Sequence, residues 1–109
     1  MLKIASTPTF IRDVTVKVPS GAGYDEQTFK AEFKALDDEA SDAFDINTAD
    51  GLKSFLSEVW IGAEDIEGED GKPAAFSDAI KEQHLRWPFV RLALLYTYRN
   101  AILGARAGN

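Results

Sequence analysis

Glu64, Asp65, Glu67, Glu69 and Asp70 place five carboxylates within seven residues, the densest chemistry-bearing stretch of the chain. Hard cations want several oxygens converging on one point. An EF-hand loop would supply them at alternate positions, with glycine sixth and a closing glutamate twelfth. Counted from Asp65, the sixth residue is Asp70, glycine comes seventh as Gly71, and the twelfth is Phe76. The spacing therefore reads as a solvated turn, and no metal is expected. His84 is the only histidine. A zinc-binding or catalytic histidine wants a second ligand or a paired carboxylate. Asp78 and Glu82 beside it are commonplace helix neighbours, so His84 reads as a boundary residue. Ser6, Ser20, Ser41, Ser54, Ser57 and Ser77 lack a nucleophile-elbow setting. Gly21 and Gly23 precede an apparent strand rather than a helix, which is not a phosphate cradle. No catalytic residue and no cofactor is expected.

What remains is adhesion. Trp60, Trp87, Phe89, Tyr96 and Tyr98 are the aromatic assets, and aromatics with arginines are enriched where proteins bind one another. Trp60 reads as core, and Phe89 as core or contact. Tyr98 with Arg91 and Arg99 reads as an interface edge. The candidate partner-binding residues are Trp87, Phe89, Arg91, Leu95, Tyr98 and Arg99.

All six sit in the stretch that must position them, Arg86 to Gly104. Pro88 suits a first helical position, and Gly104 suits the residue past the end. Between them Phe89, Leu92, Ala93, Tyr96, Ile102 and Leu103 give helical spacing on one broad face. Val90, Leu94, Leu95, Tyr98 and Ala101 spill onto the others, and only Arg91, Arg99 and Asn100 are plainly polar. A surface helix carries one apolar stripe and a charged back. This one is expected to be the core of its own domain and also to border a partner chain.

The other elements follow from period and punctuation. Phe10 to Val18 alternates, with Val14, Val16 and Val18 on one side. Thr28 to Leu36 alternates again, with Phe29, Ala31, Phe33 and Ala35 on one side. The pattern predicts an antiparallel hairpin around Pro19 to Gly23, a loop too long for a two-residue turn. Its apolar face must lie on helices or on a third strand. Asp37 can cap a short helix to about Phe44. Asn47 or Thr48 can cap a second that buries Leu52, Phe55, Leu56 and Val59, with Gly51 a modest cost in its first turn. Trp60 to Ile66 is a short extended segment, a surface loop, or half of a small hairpin with Ala74 to Phe76. Ser77 caps a helix from Asp78 to about Leu85. The fold class expected is α+β: an N-terminal antiparallel β-hairpin on about four helices, the C-terminal one central. At 109 residues the chain reads as a single domain, with 1–9 and 105–109 frayed.

Charge and composition narrow the partners. Residues 25–82 hold 17 acids against 5 lysines, a net of −12, whereas 1–24 carry +2 and 83–109 carry +4. An acidic middle argues against nucleic acid as a partner. It also permits head-to-tail pairing between copies, so a homo-oligomer is expected. Cysteine is absent, which excludes disulfides and thiolate metal sites. No signal peptide is recognised at MLKIASTPTF. The near-apolar run Phe89 to Tyr98 is half of what a membrane crossing needs. No membrane partner and a cytoplasmic location are expected.

The layout resembles the tail assembly chaperones of long-tailed phages and prophages. The residues that carry the likeness are the alternating N-terminal segment, the tryptophan-containing segment at Trp60, the turn Glu69-Asp70-Gly71-Lys72-Pro73, the helix start Phe76-Ser77, and the final helix with Arg91, Ala93 and Tyr98. It spans about residues 10 to 104. The order Trp60-Ile61-Gly62 departs from the Gly-Trp order of the family. The resemblance implies a non-enzymatic protein that binds the tape measure protein, with the tail tube protein as a second candidate partner, during tail assembly in the bacterial host. It also implies that Ala105 to Asn109 could lead into a frameshifted extension. The alternative is a virion structural protein such as a head–tail connector or tail-completion protein. An acidic DNA mimic and a metal-dependent enzyme are the remoter readings.

Overall fold

The computed structural model describes residues 1–4 and 7–104. The expected frayed tail 105–109, and Ala5 and Ser6 of the N-terminal stretch, lie outside the described residues. The order is β1 (Thr9–Ser20), β2 (Gly23–Lys34), α1 (Asp38–Ser41), α2 (Ala49–Val59), β3 (Trp60–Glu64), α3 (Asp78–Leu85) and α4 (Pro88–Ile102). The strands form one antiparallel sheet, ordered β1-β2-β3. This is the α+β class expected, with the hairpin extended to three strands.

The hairpin forms because β-branched and aromatic residues alternate on both arms. Val14 pairs with Phe29 and Phe10 with Phe33 on the inner face. The outer face carries complementary polar partners. Lys30 Nζ donates to Asp13 at 2.9 Å, and the hydroxyls of Thr15 and Thr28 lie 3.0 Å apart. The turn corrects the expected long loop: Ser20 pairs with Gly23, leaving only Gly21 and Ala22 between the strands. Gly21 has φ +54° and Ala22 stays at negative φ, the pattern of a type II′ hairpin turn.

Helix starts follow local capping chemistry. Asp37 accepts from the Ala40 N–H, Thr48 from Gly51, and Ser77 from Ile80. α1 stops at Ser41, short of the expected Phe44. Pro88 opens α4 at its first position, as its spacing predicts.

Trp60, Phe33, Leu56, Leu94, Val14 and Val59 are fully buried between sheet and helices. Each such side chain contributes ~2 kcal/mol of burial. Tyr98 is the joint of this core. Its ring meets Phe55 at 5.3 Å, Phe33 at 5.8 Å and Phe10 at 5.9 Å. Its hydroxyl accepts from the Leu36 N–H at 3.0 Å, where β2 has ended. Tyr98→Phe keeps the ring and orphans that N–H, so we expect a loss of about 1–2 kcal/mol in urea unfolding. An unchanged midpoint would show that water replaces the hydroxyl.

α4 packs by one side and leaves another in solvent. Val90, Arg91, Leu94 and Tyr98 are buried. Leu92, Tyr96, Ile102 and Leu103, grouped on one broad face by their spacing, are exposed. A helix this evenly apolar has only weak sidedness to fix its rotation. The polar tips of Arg91 and Tyr98 fix it instead, each reaching one particular backbone group.

Candidate functional site

Two surfaces place exposed apolar side chains together. The first is the outward stripe of α4. Leu92, Tyr96 and Leu103 recur at helical spacing and are 53%, 59% and 75% exposed. Arg99 lies among them, exposed, and Ile102 flanks them. At the start of the helix Trp87, 51% exposed, stacks on Phe89 with ring centroids 5.5 Å apart and planes at 21°. α4 carries no acid, so the stripe is apolar with a positive edge.

The second surface is an open groove of ≈ 1070 Å³ between the hairpin and the α3–α4 corner. Its floor is the inner face of the hairpin's outer half, Val16 and Val18 of β1 beside Gln27 and Phe29 of β2. One wall is Asp65 to Gly68, and the other is His84, Trp87, Phe89 and Val90. The groove exists because β3 pairs only with Lys30 to Phe33 of β2. Asp65 then takes φ +63°, a left-handed conformation that aspartate tolerates, and the chain turns away. Beyond Phe29 the inner face of β2 changes from apolar to polar. Gln27 Nε2 donates to Asp25 at 2.9 Å there.

Of the six residues expected to bind a partner, the structure presents some and withdraws others. Trp87 and Arg99 are exposed, Phe89 is half-buried at the junction of both surfaces, and Leu95 is half-buried against the core. Arg91 and Tyr98 are corrections, at 9% and 5% exposed. Arg91 Nη1 donates to the Leu85 carbonyl at 2.9 Å, at the last residue of α3. A cation there satisfies an orphan carbonyl and the negative end of the helix. Both residues bind their own chain. Leu92, Tyr96 and Leu103, not among the six, are the exposed members. The signal that could have found them is their own i, i+4, i+11 spacing, offset from the line Val90, Leu94, Tyr98.

The acidic loop behaves as a turn. Gly71 N–H donates to the Gly68 carbonyl at 3.0 Å, and Asp70 Oδ1 accepts from Lys72 N–H at 3.0 Å. Glu67 and Pro73 form an isolated antiparallel bridge, and of the alternatives for Trp60 to Ile66 the structure takes the short extended segment, since Trp60–Glu64 pairs with β2 and not with Ala74 to Phe76. Among the described residues no three His, Asp or Glu side chains converge to hold a metal ion. Glu64, Asp65, Glu67, Glu69 and Asp70 are all exposed. Their field reaches Lys30, whose pKa lies above its ordinary value. The cause is first the hydrogen bond and charge of Asp13, then the more distant Asp65 and Glu64. His84 Nδ1 lies 2.7 Å from the Ile80 carbonyl one turn back, a contact within its own helix. Among the described residues no helix is long and apolar enough to cross a membrane.

Comparison of the chain with protein-family models, with curated proteins and with solved structures yields no match.

Proposed function

We propose that the chain is an assembly chaperone, a non-enzymatic carrier that binds the tape measure protein of a long phage tail while the tail is built. It works in the cytoplasm of the bacterial host, as a homo-oligomer, with the tail tube protein as the second candidate partner. The observation that carries this reading is the uncovered stripe Leu92, Tyr96, Leu103 on α4, continued by Trp87 and Phe89. Monomers seldom leave contiguous apolar faces in water without a use. A tape measure protein is a long helix whose own apolar faces must stay covered until tube subunits enclose it. A helix stripe laid against a helix stripe buries both, at ~1 kcal/mol for each half-exposed side chain covered. The acidic body, net −12 over residues 25–82, then keeps the complex dispersed. The sequence layout from residue 10 to 104, which resembles tail assembly chaperones, supports the same partner.

The test is co-expression with the tape measure protein encoded in the same phage or prophage. We expect a soluble co-purifying complex and little soluble tape measure protein without this chain. Mass spectrometry of finished particles should lack the chain. Its presence there at fixed copy number would favour the connector reading instead.

A further inference from the structure

The groove between the hairpin and the α3–α4 corner is distinct from the α4 stripe and meets it only at Trp87 and Phe89. Its apolar lining is not left over from a poorly filled core. Val16, Phe29, Ile66 and Val90 are buried at its base, while Val18 and Phe89 are half-buried and Trp87 stands exposed at its rim. Its charged lining is one-sided: Asp65 and Glu67 on one wall, with no lysine or arginine among the lining residues. Glu64, Glu69 and Asp70 stand exposed on the same loop. The floor is apolar along β1 and amide-lined at Gln27 along β2.

The geometry points to this groove as the seat of an amphipathic helix from a partner protein, its apolar ridge on Val18, Trp87 and Phe89 and its flanks carrying lysine or arginine against Asp65 and Glu67. Apolar side chains at i, i+3, i+4 and i+7 match such a trough. Cationic flanks match the acidic wall, and electrostatic matching of this kind selects partners and orients docking. A helix with acidic flanks would set like charges against that wall. The inference deepens the chaperone reading and rests on it for the partner's identity. It adds a charge rule: segments of the client rich in leucine and lysine are held here first.

The experiment titrates the ¹⁵N-labelled full chain with a synthetic leucine–lysine amphipathic helix of about 14 residues, near the shortest length that holds helix in water. A twin in which every lysine is glutamate serves as the comparison. We expect shifts centred on the Trp87 indole N–H and the amides of Val16, Val18, Phe29 and Ile66. The twin should bind at least tenfold more weakly. Asp65→Asn with Glu67→Gln should weaken the lysine peptide at least fivefold while leaving remote peaks in place. Asparagine preserves the left-handed conformation at 65. Three results would each overturn the proposal: equal binding of the twin, shifts centred on Leu92, Tyr96 and Leu103, or shifts confined to Gly23 to Phe29 with the peptide extended. If the double variant still solubilises the tape measure protein as the parent does, the groove assignment fails and the chaperone reading stands. If the peptide binds as expected but no tape measure complex forms, the chaperone reading fails and the groove stands.

Discussion

Gly51→Ala is expected to lower the melting temperature by roughly 10–20 °C, equivalent to about 3 kcal/mol for a domain of this size. Local preference alone says the opposite, since alanine in a helix is worth up to ~1 kcal/mol over glycine. The difference lies in what faces the Cα. Gly51 is the third residue of α2, and a Cβ there would fall on the carbonyl oxygen of Asp45. It would lie 2.7 Å from that carbonyl carbon and 2.8 Å from Thr48 Oγ1. The nearest atoms are backbone and cannot swing aside. They also hold the cap together: Thr48 donates to the Asp45 carbonyl from both its N–H, at 3.3 Å, and its hydroxyl, at 3.0 Å. The same hydroxyl accepts from Gly51 N–H at 3.0 Å. Making room for a methyl group therefore combines a steric cost of about 1–3 kcal/mol with loss of a cap worth ~1 kcal/mol. A circular-dichroism melt decides it. A midpoint at or above the parent's would mean that the Asp45 to Thr48 loop moves freely and the close approach is unimportant.

That glycine marks where the sequence stops being legible. Caps and starts could be read from neighbours in the chain, because Asp37, Thr48, Ser77 and Pro88 act on backbone groups within one turn. Strand faces could be read because period two is enforced by the pleat. The failures are all non-local. Gly51 is required by a carbonyl six residues away that only the folded loop brings close. The hairpin turn was hidden because Pro19 to Gly23 is uniformly turn-like, and only the pairing of Ser20 with Gly23 singles out Gly21 and Ala22. The rotation of α4 was illegible because oil is spread around its circumference. Tyr98 is turned inward by the N–H of Leu36, 62 residues away in sequence, and Arg91 by the end of the preceding helix. Residue type, tyrosine and arginine, points equally to exposed Arg99 and to Tyr98 and Arg91, whose polar tips are already engaged within the chain. For the groove there was one readable sign: along β2 the inward positions change from Phe33, Ala31 and Phe29 to Gln27 and Asp25, so the apolar floor is carried on by β1 alone.

Rotation of α4 also sets the second large effect. Leu92→Glu combined with Tyr96→Glu should abolish tape measure solubilisation while leaving the chain folded. Both side chains are more than half exposed and neither belongs to the buried cluster. Exposed substitutions of this kind cost within ~0.5 kcal/mol each, so the melting temperature should move by only a few degrees, about 2–6 °C. Binding should suffer far more. The pair removes two apolar anchors near the middle of the stripe and puts two carboxylates against the partner's apolar face. Truncating a central anchor commonly costs at least ~2 kcal/mol, and burying an unpaired charge adds to it. A loss of about 4 kcal/mol weakens a complex roughly a thousandfold. The comparison is Leu94→Ala on the opposite side of the same helix. Leu94 is 0% exposed, so that change should cost about 2–5 kcal/mol of stability. Below its lowered melting temperature it should still hold the partner. Wild-type solubilisation by the Leu92/Tyr96 variant would remove the stripe from the binding surface, because no other effect of those substitutions would compensate for charge placed in an apolar contact.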